Sequence, residues 1–213
     1  MNKIESMIAD LCPDGVEYRE LGSLSVRAKG IKWSEHSSES RQYIDLSSVD
    51  IRTHHIGELS VVSKLNAPSR ARQIVQTDDI LFATTRPTQM RCCLVPATLD
   101  NQICSTGYCV LRFVTGVVDP RFVLHLLTAD NFKIYLENNQ TEGNYPAISD
   151  KKLREYKIPV PPIEIQREIV RILDSFAELE AELEAELEAR KRQYAYYRDK
   201  LLGFEERESV FHG

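Results

Sequence analysis

The longest regular pattern of apolar residues in this sequence extends from Ile163 to Leu202. Gaps of four and three residues alternate along it, which is the spacing of the apolar stripe, or seam, of a coiled coil. Neither Gly nor Pro occurs in this stretch before Gly203. The pattern therefore predicts one helix, on the order of 60 Å long at about 1.5 Å per residue. The predicted seam residues are Ile165, Ile169, Ile172, Phe176, Leu179, Leu183, Leu187, Tyr194, Tyr197 and Leu201.

A seam this narrow requires a second helix to cover it, and the sequence contains no other pattern of matching length. We therefore expect the covering helix to belong to another polypeptide, and two copies paired antiparallel as a homodimer are the simplest arrangement. Within the helix, Ala-Glu-Leu-Glu occurs three times in succession, at residues 177–188. The repeat adds an extra gap of four between Leu183 and Leu187, a stutter that locally relaxes a left-handed supercoil.

Shorter patterns of both secondary-structure types occupy the first 160 residues. Helices are predicted at residues 1–11, 121–128, 131–138 and 149–156, with Asp119 and Ser149 as the N-caps of the second and fourth. A polar surface loop is predicted at 27–41. Strands are predicted at residues 16–21, 42–46, 59–62, 73–75, 80–84, 92–95 and 108–113, and an extended Pro-rich connector at 158–162. We therefore expect an α+β protein: one globular domain with a mixed β-sheet, residues 1–160, then a single long coiled-coil α-helix in a helical region, residues 161–213.

The formal net charge of −5 is unevenly distributed. Residues 1–160 contain 19 Lys or Arg and 19 Asp or Glu, whereas residues 161–213 contain 8 and 13, so the acidic excess lies in the helical region. The globular domain is neutral but locally basic, because five basic residues occur from Lys64 to Arg91 against Asp78 and Asp79. A neutral domain with a basic face is compatible with a nucleic-acid partner.

Side chains in and after this basic stretch are of the types that contact DNA. Arg can bind guanine with two hydrogen bonds, Asn or Gln can bind adenine, and Ser or Thr can bind either base. A solvated basic surface without a ligand would have the same composition. A polar loop at residues 140–146 supplies a second group, whose tyrosine can stack on a base or cover the sheet edge. The candidate DNA-binding residues are Lys64, Asn66, Ser69, Arg70, Arg72, Arg86, Thr88, Gln89, Arg91, Asn144 and Tyr145.

Little in the sequence predicts catalysis. It has no Gly-x-Gly-x-x-Gly motif and no Gly-rich phosphate loop ending in Lys-Ser/Thr. His54 and His55 are adjacent rather than spaced to share a metal, and the five cysteines include no Cys-x-x-Cys pair, so we expect no metal site, no cofactor and reduced thiols. No stretch predicts a membrane span or a signal peptide, and we expect a cytoplasmic protein.

Several short motifs together resemble those of one known family. They are Leu11-Cys12-Pro13-Asp14-Gly15-Val16-Glu17-Tyr18, Asp79-Ile80-Leu81-Phe82, Cys104-Ser105-Thr106-Gly107-Tyr108, Tyr145-Pro146-Ala147-Ile148, Ile158-Pro159-Val160-Pro161-Pro162 and Gln166-Arg167-Glu168-Ile169-Val170. In this combination they resemble the specificity subunits of type I restriction–modification systems over nearly the whole chain. The tetrapeptide repeat resembles the repeats that some members carry in their helical region.

The resemblance implies a non-catalytic subunit that recognises double-stranded DNA. A standard member has two target-recognition domains and two long antiparallel helices, whereas this sequence has one of each. It is therefore either a natural half-size subunit or the first half of a longer chain, and two copies would read a bipartite, palindromic site. The implied partners are the methyltransferase subunits, which bind S-adenosylmethionine, and in restriction complexes the restriction and translocase subunits.

Two other classes of function stay open from the sequence. A DNA methyltransferase can carry a similar recognition domain, although the cofactor-binding motif is missing from this sequence. A coiled-coil scaffold with an incidental globular domain would show no DNA binding in its assembled complex.

Overall fold

The computed structural model of the protein describes residues 3–35 and 39–204. The chain divides into two compact units, here called unit 1 (Met1–Val170) and unit 2 (Arg171–Gly213). Parts of three predicted segments lie outside the described residues: 1–2 of the first helix, 36–38 of the polar loop, and 205–213 of the helical region.

Ten β-strands occur among the described residues, all in unit 1. They are β1 (Tyr18–Glu20), β2 (Ser25–Val26), β3 (Ser40–Ile44), β4 (Ser60–Ser63), β5 (Ala71–Ile74), β6 (Ile80–Ala83), β7 (Cys92–Leu94), β8 (Ile103–Ser105), β9 (Tyr108–Phe113) and β10 (Lys157–Pro159). The runs predicted as strands from the sequence all overlap one of them. The short strands β2, β8 and β10 were not predicted, because two or three residues are too few to show a periodicity.

The strands form two four-stranded sheets and a two-stranded ribbon of β1 with β10. The first sheet has the order β2-β9-β6-β7 and is antiparallel throughout. The second sheet has the order β4-β3-β8-β5, and its β3–β8 pair is parallel. The predicted mixed β-sheet is thereby confirmed, with its parallel pair formed by a strand that the pattern missed.

Six α-helices complete the described part of the chain. They are α1 (Lys3–Leu11), α2 (Leu21–Leu24), α3 (Pro120–Leu127), α4 (Asp130–Asn139), α5 (Asp150–Arg154) and α6 (Ile163–Leu202). The predicted N-caps of α3 and α5 are present: the Asp119 carboxylate accepts from Arg121 N at 2.9 Å, and Ser149 Oγ accepts from Lys152 N at 3.2 Å. The α+β class and the long C-terminal helix are confirmed.

The first sheet is covered on both faces, which explains the unbroken apolar run of β6. Ile80 and Phe82 belong to a buried cluster with α2, α3, α4 and α5, in which Phe82 meets Phe132 edge to face at 5.2 Å. Leu81 and Ala83 belong to a second buried cluster with residues of β3 and β8. Because successive side chains of a strand point to opposite faces, burial of all four β6 residues indicates a central layer.

An ion pair ties β6 to β9 within this core. Arg112 donates from Nε and Nη2 to the fully buried carboxylate of Asp79, at 2.8 and 2.7 Å. Gln76 N adds a third hydrogen bond to the same carboxylate at 2.7 Å. The hydrogen bond to Asp79 raises the pKa of the Arg112 guanidinium. Asp79 therefore has a structural role at the start of β6, and a single-partner substitution would leave a buried charge unpaired.

The polar loop at residues 27–41 differs from the prediction at its tryptophan. Trp33 is 8% exposed rather than on the surface, and its indole Nε1 donates to Ala71 O at 2.9 Å. It packs in a third buried cluster with Ile31, Tyr43 and Val62. A loop that contains one large aromatic residue is thus held on the second sheet by that residue.

Helix α6 begins inside unit 1, where Gln166 anchors it. The fully buried amide of Gln166 accepts from Asp119 N at 2.8 Å and donates to Pro161 O at 2.7 Å and to Val117 O at 3.1 Å. Ile165 is fully buried beside it. The predicted seam therefore loses its first member, because Ile165 is already covered within unit 1.

Unit 1 also extends further along the chain than the predicted boundary at residue 160. The expected Pro-rich connector overlaps strand β10, which pairs with β1, and the first eight residues of α6 belong to the same compact unit. The boundary between the units lies within the helix, after Val170.

In unit 2 the seam is exposed. Phe176 is 64% exposed, and Leu179, Leu183 and Leu187 are between 51% and 58% exposed. Tyr194, Tyr197 and Leu201 are also exposed. None of the helices in the described residues is long and apolar enough to cross a membrane.

Candidate nucleic-acid interface

A tight turn between β8 and β9 lies at the centre of the candidate site. The side-chain amide of Gln73, on β5, donates to both ends of this turn, to Ser105 O and Tyr108 O, each at 2.9 Å. Ser105 Oγ accepts from Gly107 N at 3.2 Å, and the buried Tyr108 hydroxyl donates to Asp45 O at 3.0 Å. Burial raises the pKa of Tyr108, so its hydroxyl stays protonated. The turn is therefore held in place by side chains from three strands.

Backbone hydrogen bonds join this turn to a loop on each side. Thr106 N donates to Arg70 O at 2.9 Å, which places the loop between β4 and β5 on one side. Gly107 O accepts from Thr84 N at 2.9 Å and from Thr84 Oγ1 at 3.0 Å, which places the loop after β6 on the other side. Two segments that are distant in sequence thus become neighbours.

Gly107 lies close against the Leu46 side chain. A Cβ atom at this position would lie 2.8 Å from Leu46 Cδ1, closer than non-bonded carbon atoms approach. The motif Cys104-Ser105-Thr106-Gly107-Tyr108 therefore specifies a turn that fits against a neighbouring helical turn.

The loop after β6 has an unusual backbone. Arg86 and Met90 adopt left-handed conformations, with φ of 49° and 51°, on either side of a short 3-10 turn at Pro87–Gln89. Arg86 N donates to Pro146 O at 2.7 Å, and Ile148 N donates to Thr84 O at 2.9 Å. The polar loop at residues 140–147 is thereby fixed beside it.

This arrangement brings Arg86 and Tyr145 together. The guanidinium carbon of Arg86 lies 5.9 Å from the centre of the Tyr145 ring, within the range of a cation–π contact. Tyr145 is 82% exposed, so the pair lies on the surface. Asn144 is exposed in the same loop. We name the surface formed by residues 63–70, 84–91, 105–107 and 140–147 the four-loop face.

Two predicted DNA-binding residues also form hydrogen bonds within the fold. The Asn66 side chain closes its own turn, accepting from Ser63 N at 2.7 Å and donating to Val61 O at 3.2 Å. Arg91 is half-buried, and its Nη1 donates to the backbone carbonyls of Leu46 and Val49. These groups are engaged within the fold, and their contact with DNA stays a prediction.

The other predicted residues are available to different degrees. Thr88 is half-buried, and Arg72 lies on β5, where its Nε donates to Ser69 O at 3.0 Å. The exposed candidates in the loops are Lys64, Ser69, Arg70, Arg86, Gln89, Asn144 and Tyr145.

Two exposed residues of the four-loop face were not predicted. Leu65 is 95% exposed at the tip of the β4–β5 loop, between Lys64 and Asn66. An apolar residue inside a polar turn is the sequence signal that could have identified it. Thr106 is exposed at the tip of the central turn, inside a motif that was recognised but not assigned to the site.

Two cysteine thiols close to the face are shielded from solvent. Cys92 and Cys109 are fully buried, and burial raises the pKa of each thiol to about 12. Within residues 3–35 and 39–204, no group of three or more His, Cys, Asp or Glu side chains could hold a metal ion. The exposed side chains of the four-loop face supply cations, amides, hydroxyls, an aromatic ring and the Glu142 carboxylate.

Comparison with known proteins identifies the family. A family model described as "Type I restriction modification DNA specificity domain" matches residues 13–189. The chain belongs to this family of type I restriction–modification specificity subunits.

Individual relatives agree with the assignment. The Type I restriction enzyme EcoR124I/EcoR124II specificity subunit of Escherichia coli is 38% identical over 199 residues, which are 92% of this chain and 45% of that protein. The HsdS subunit from Thermoanaerobacter tengcongensis matches 87% of this chain and 46% of its own with a TM-score of 0.75 and 33% identity. A chain from a study of complex assembly and conformational transition of the type I R-M system matches 94% of this chain and 52% of its own, with a TM-score of 0.82 and 30% identity. This chain spans about half the length of these relatives.

Proposed function

We propose that this chain is the DNA-recognition subunit, or half of one, of a type I restriction–modification complex, and that unit 1 reads one half of a bipartite site through the four-loop face. The proposal rests chiefly on the exposed Arg86–Tyr145 pair, which joins a cation and an aromatic ring from two loops. The rigid central turn keeps the loops in fixed positions, so that their side chains need little reorganisation on binding.

The side chains of the face divide into two proposed roles. Lys64 and Arg70 neutralise phosphates, whereas Arg86, Gln89 and Asn144 have the donor and acceptor groups for base edges. Leu65 has the chemistry to contact a thymine methyl group. Thr106, at the centre, can donate to either a base or a phosphate.

The chain itself is proposed to be non-catalytic, as its family of specificity subunits is. Methyl transfer belongs to partner methyltransferase subunits, which bind S-adenosylmethionine, and DNA cleavage to restriction subunits where the complex has them. The exposed seam of unit 2 is proposed to join two copies as an antiparallel homodimer, which gives the palindromic site. Calorimetry on the isolated chain should accordingly detect no binding of S-adenosylmethionine.

The interface is tested by alanine substitution in the complex assembled with the methyltransferase subunit. Arg86→Ala should weaken binding of the target DNA by about 1–3 kcal/mol and relax one position of the site if Arg86 reads guanine. If Arg86 contacts only phosphate, binding should weaken evenly over sequences and the salt dependence should become shallower. Tyr145→Ala should weaken binding because the ring orients the guanidinium.

Lys157→Ala is the matched control, because Lys157 is an exposed cation on β10, outside the four loops. Its affinity for DNA should equal that of the unaltered chain. Unchanged affinity in the Arg70, Arg86, Gln89 and Tyr145 variants would place the reading surface elsewhere.

A further inference from the structure

Charge is segregated along the exposed part of α6. Residues 177–188 contain six glutamates and no basic residue, whereas residues 190–200 contain five basic residues and one aspartate. The contacts of Arg190 with Glu186 at 3.3 Å and of Lys191 with Glu188 at 2.7 Å lie at the boundary of the two blocks. A parallel pair of such helices would place glutamates beside glutamates, whereas an antiparallel pair places each acidic block beside a basic one.

The seam is symmetric in its spacing. Leu183 and Arg190 lie at equal distances on either side of the midpoint between Glu186 and Leu187, and from each of them the seam residues follow outward with gaps of four, three and four. An antiparallel two-fold axis at this midpoint therefore brings six of the eight seam residues from Ile172 to Leu201 opposite seam residues of a second copy. These pairs are Ile172 with Leu201, Phe176 with Tyr197 and Leu179 with Tyr194. Leu183 lies opposite Arg190, and Leu187 lies beside its own copy at the axis.

The part of α6 that belongs to unit 2 has the same symmetry. The compact part of the chain ends at Val170, so unit 2 begins at Arg171, and α6 ends at Leu202. Reflection through the same midpoint exchanges Arg171 with Leu202. The helix therefore continues as far as the start of unit 2 in a second copy and no further.

We propose that two copies of this chain pair through residues 172–201 in a single antiparallel register, whose two-fold axis passes between Glu186 and Leu187. The register rests on the homodimer of the proposed function and specifies its geometry. The paired stretch is ~45 Å long at about 1.5 Å per residue. It covers the shallow apolar groove, about 340 Å³ in volume, that Phe176, Leu179, Leu183 and Leu187 line on the exposed helix.

The charges beside the seam favour this register. In an antiparallel pair, the positions that follow the second apolar residue of each heptad face one another. In this register Glu180 lies between Lys191 and Arg198 of the second copy, and the two-fold axis repeats the contact. Glu182 lies near Glu186 of the second copy, and Arg190, which already contacts Glu186, supplies the positive charge between them.

Single cysteines locate the axis. The test uses the full chain with Cys12→Ser, because Cys12 is half-buried and the other four cysteines are buried. Mild oxidation should cross-link Leu187→Cys to its own copy. Leu183→Cys should not cross-link to itself, because its two copies lie ~10 Å apart along the axis and a disulfide requires Cα atoms within about 7 Å. A mixture of Leu183→Cys with Arg190→Cys should form the mixed dimer.

The outcomes separate the register from the dimer. Self-cross-linking of Leu187→Cys alone supports the register. Parallel helices would give a dimeric mass by light scattering and self-cross-links in all three variants, Leu179→Cys, Leu183→Cys and Leu187→Cys. This result would overturn the register, while the homodimer would stand. A dimeric mass with a cross-link only in Leu183→Cys would place the two-fold axis near Leu183 and would also overturn the proposed register. A monomeric mass at micromolar concentration would overturn both.

Charge reversal gives an independent test. Glu180→Lys should raise the dissociation constant of the dimer roughly tenfold, since it reverses several flanking contacts of modest strength. Adding Lys191→Glu and Arg198→Glu to the same chain should restore it. Glu178→Lys, on the helix face opposite the seam, is the matched control and should leave it unchanged. Equal effects of Glu180→Lys and Glu178→Lys would contradict the register.

Discussion

The two parts of α6 carry apolar residues at the same spacing and yet differ in exposure. Ile165 is fully buried and Ile169 is half-buried, whereas Phe176 and Leu183 are 64% and 58% exposed. The first part is covered by the chain's own core, and the second part has no cover within the described residues. Periodicity thus identifies which face of a helix is apolar, but not whether the same chain or another one covers it.

Polar residues mark where the change occurs. In the first part, the amide of Gln166 satisfies three backbone groups. In the second part, glutamates, arginines and lysines surround the seam, and their ion pairs lie on the surface. A buried amide fixes one arrangement within a chain, whereas flanking charges select among partners.

The largest expected effect comes from placing charges in the exposed seam. Leu179→Lys combined with Leu183→Lys should raise the dissociation constant of the dimer by at least about 10³-fold, because the ammonium groups would lose water without gaining a partner. Sedimentation equilibrium measures the change. Ala181→Lys with Ala185→Lys adds the same charges to the opposite helix face and should leave the dimer intact. Equal dissociation of both variants would show that net charge, rather than the seam, controls assembly.

A smaller effect is expected from the buried part of the helix. Gln166→Ala leaves Asp119 N and two carbonyl oxygens without their partner, so the free energy of unfolding of unit 1 should fall by about 2–4 kcal/mol. The single tryptophan, Trp33, lies in unit 1 and reports its urea denaturation by fluorescence.

Glu164→Ala is the control for this change, because Glu164 is an exposed residue of the same helical turn. It should leave the urea midpoint nearly unchanged. A Gln166→Ala midpoint equal to that of the control would mean that α6 is not anchored by this amide.

The smallest expected effect is a change in the target without loss of activity. Deletion of residues 185–188 removes the central Leu187 layer but keeps every other seam pair of the proposed register. The span between the two recognition units should shorten by about 6 Å and turn by roughly 40°, since each residue contributes about 1.5 Å and 100°. One base pair corresponds to about 3.4 Å and roughly 34–36°, so the unread gap should shorten by one or two base pairs.

Insertion of three residues at the same place is the contrasting variant. It offsets the seam by about 60° from a whole number of helical turns and should abolish methylation. An unaltered gap with full activity after the four-residue deletion would show that the repeat does not set the spacing.

Sequence patterns predicted the long helix, the strand runs and the caps of α3 and α5, because each depends on neighbouring residues. They did not predict that Arg91 and Asn66 serve the fold, because the carbonyl groups that need a donor belong to other segments. Arg86 and Tyr145 were both predicted, but their contact depends on hydrogen bonds between two loops that no local pattern reveals. The burial of Ile165 was missed for the same reason.

The central claim is that one recognition unit per chain, paired through the exposed half of α6, reads both halves of the DNA site. Mapping methylated bases in cells that contain this chain as the only specificity subunit, together with its methyltransferase subunit, tests it most directly. We predict one palindromic target made of two inverted half-sites separated by an unread gap. An asymmetric target, or no methylation that depends on this chain, would contradict the account.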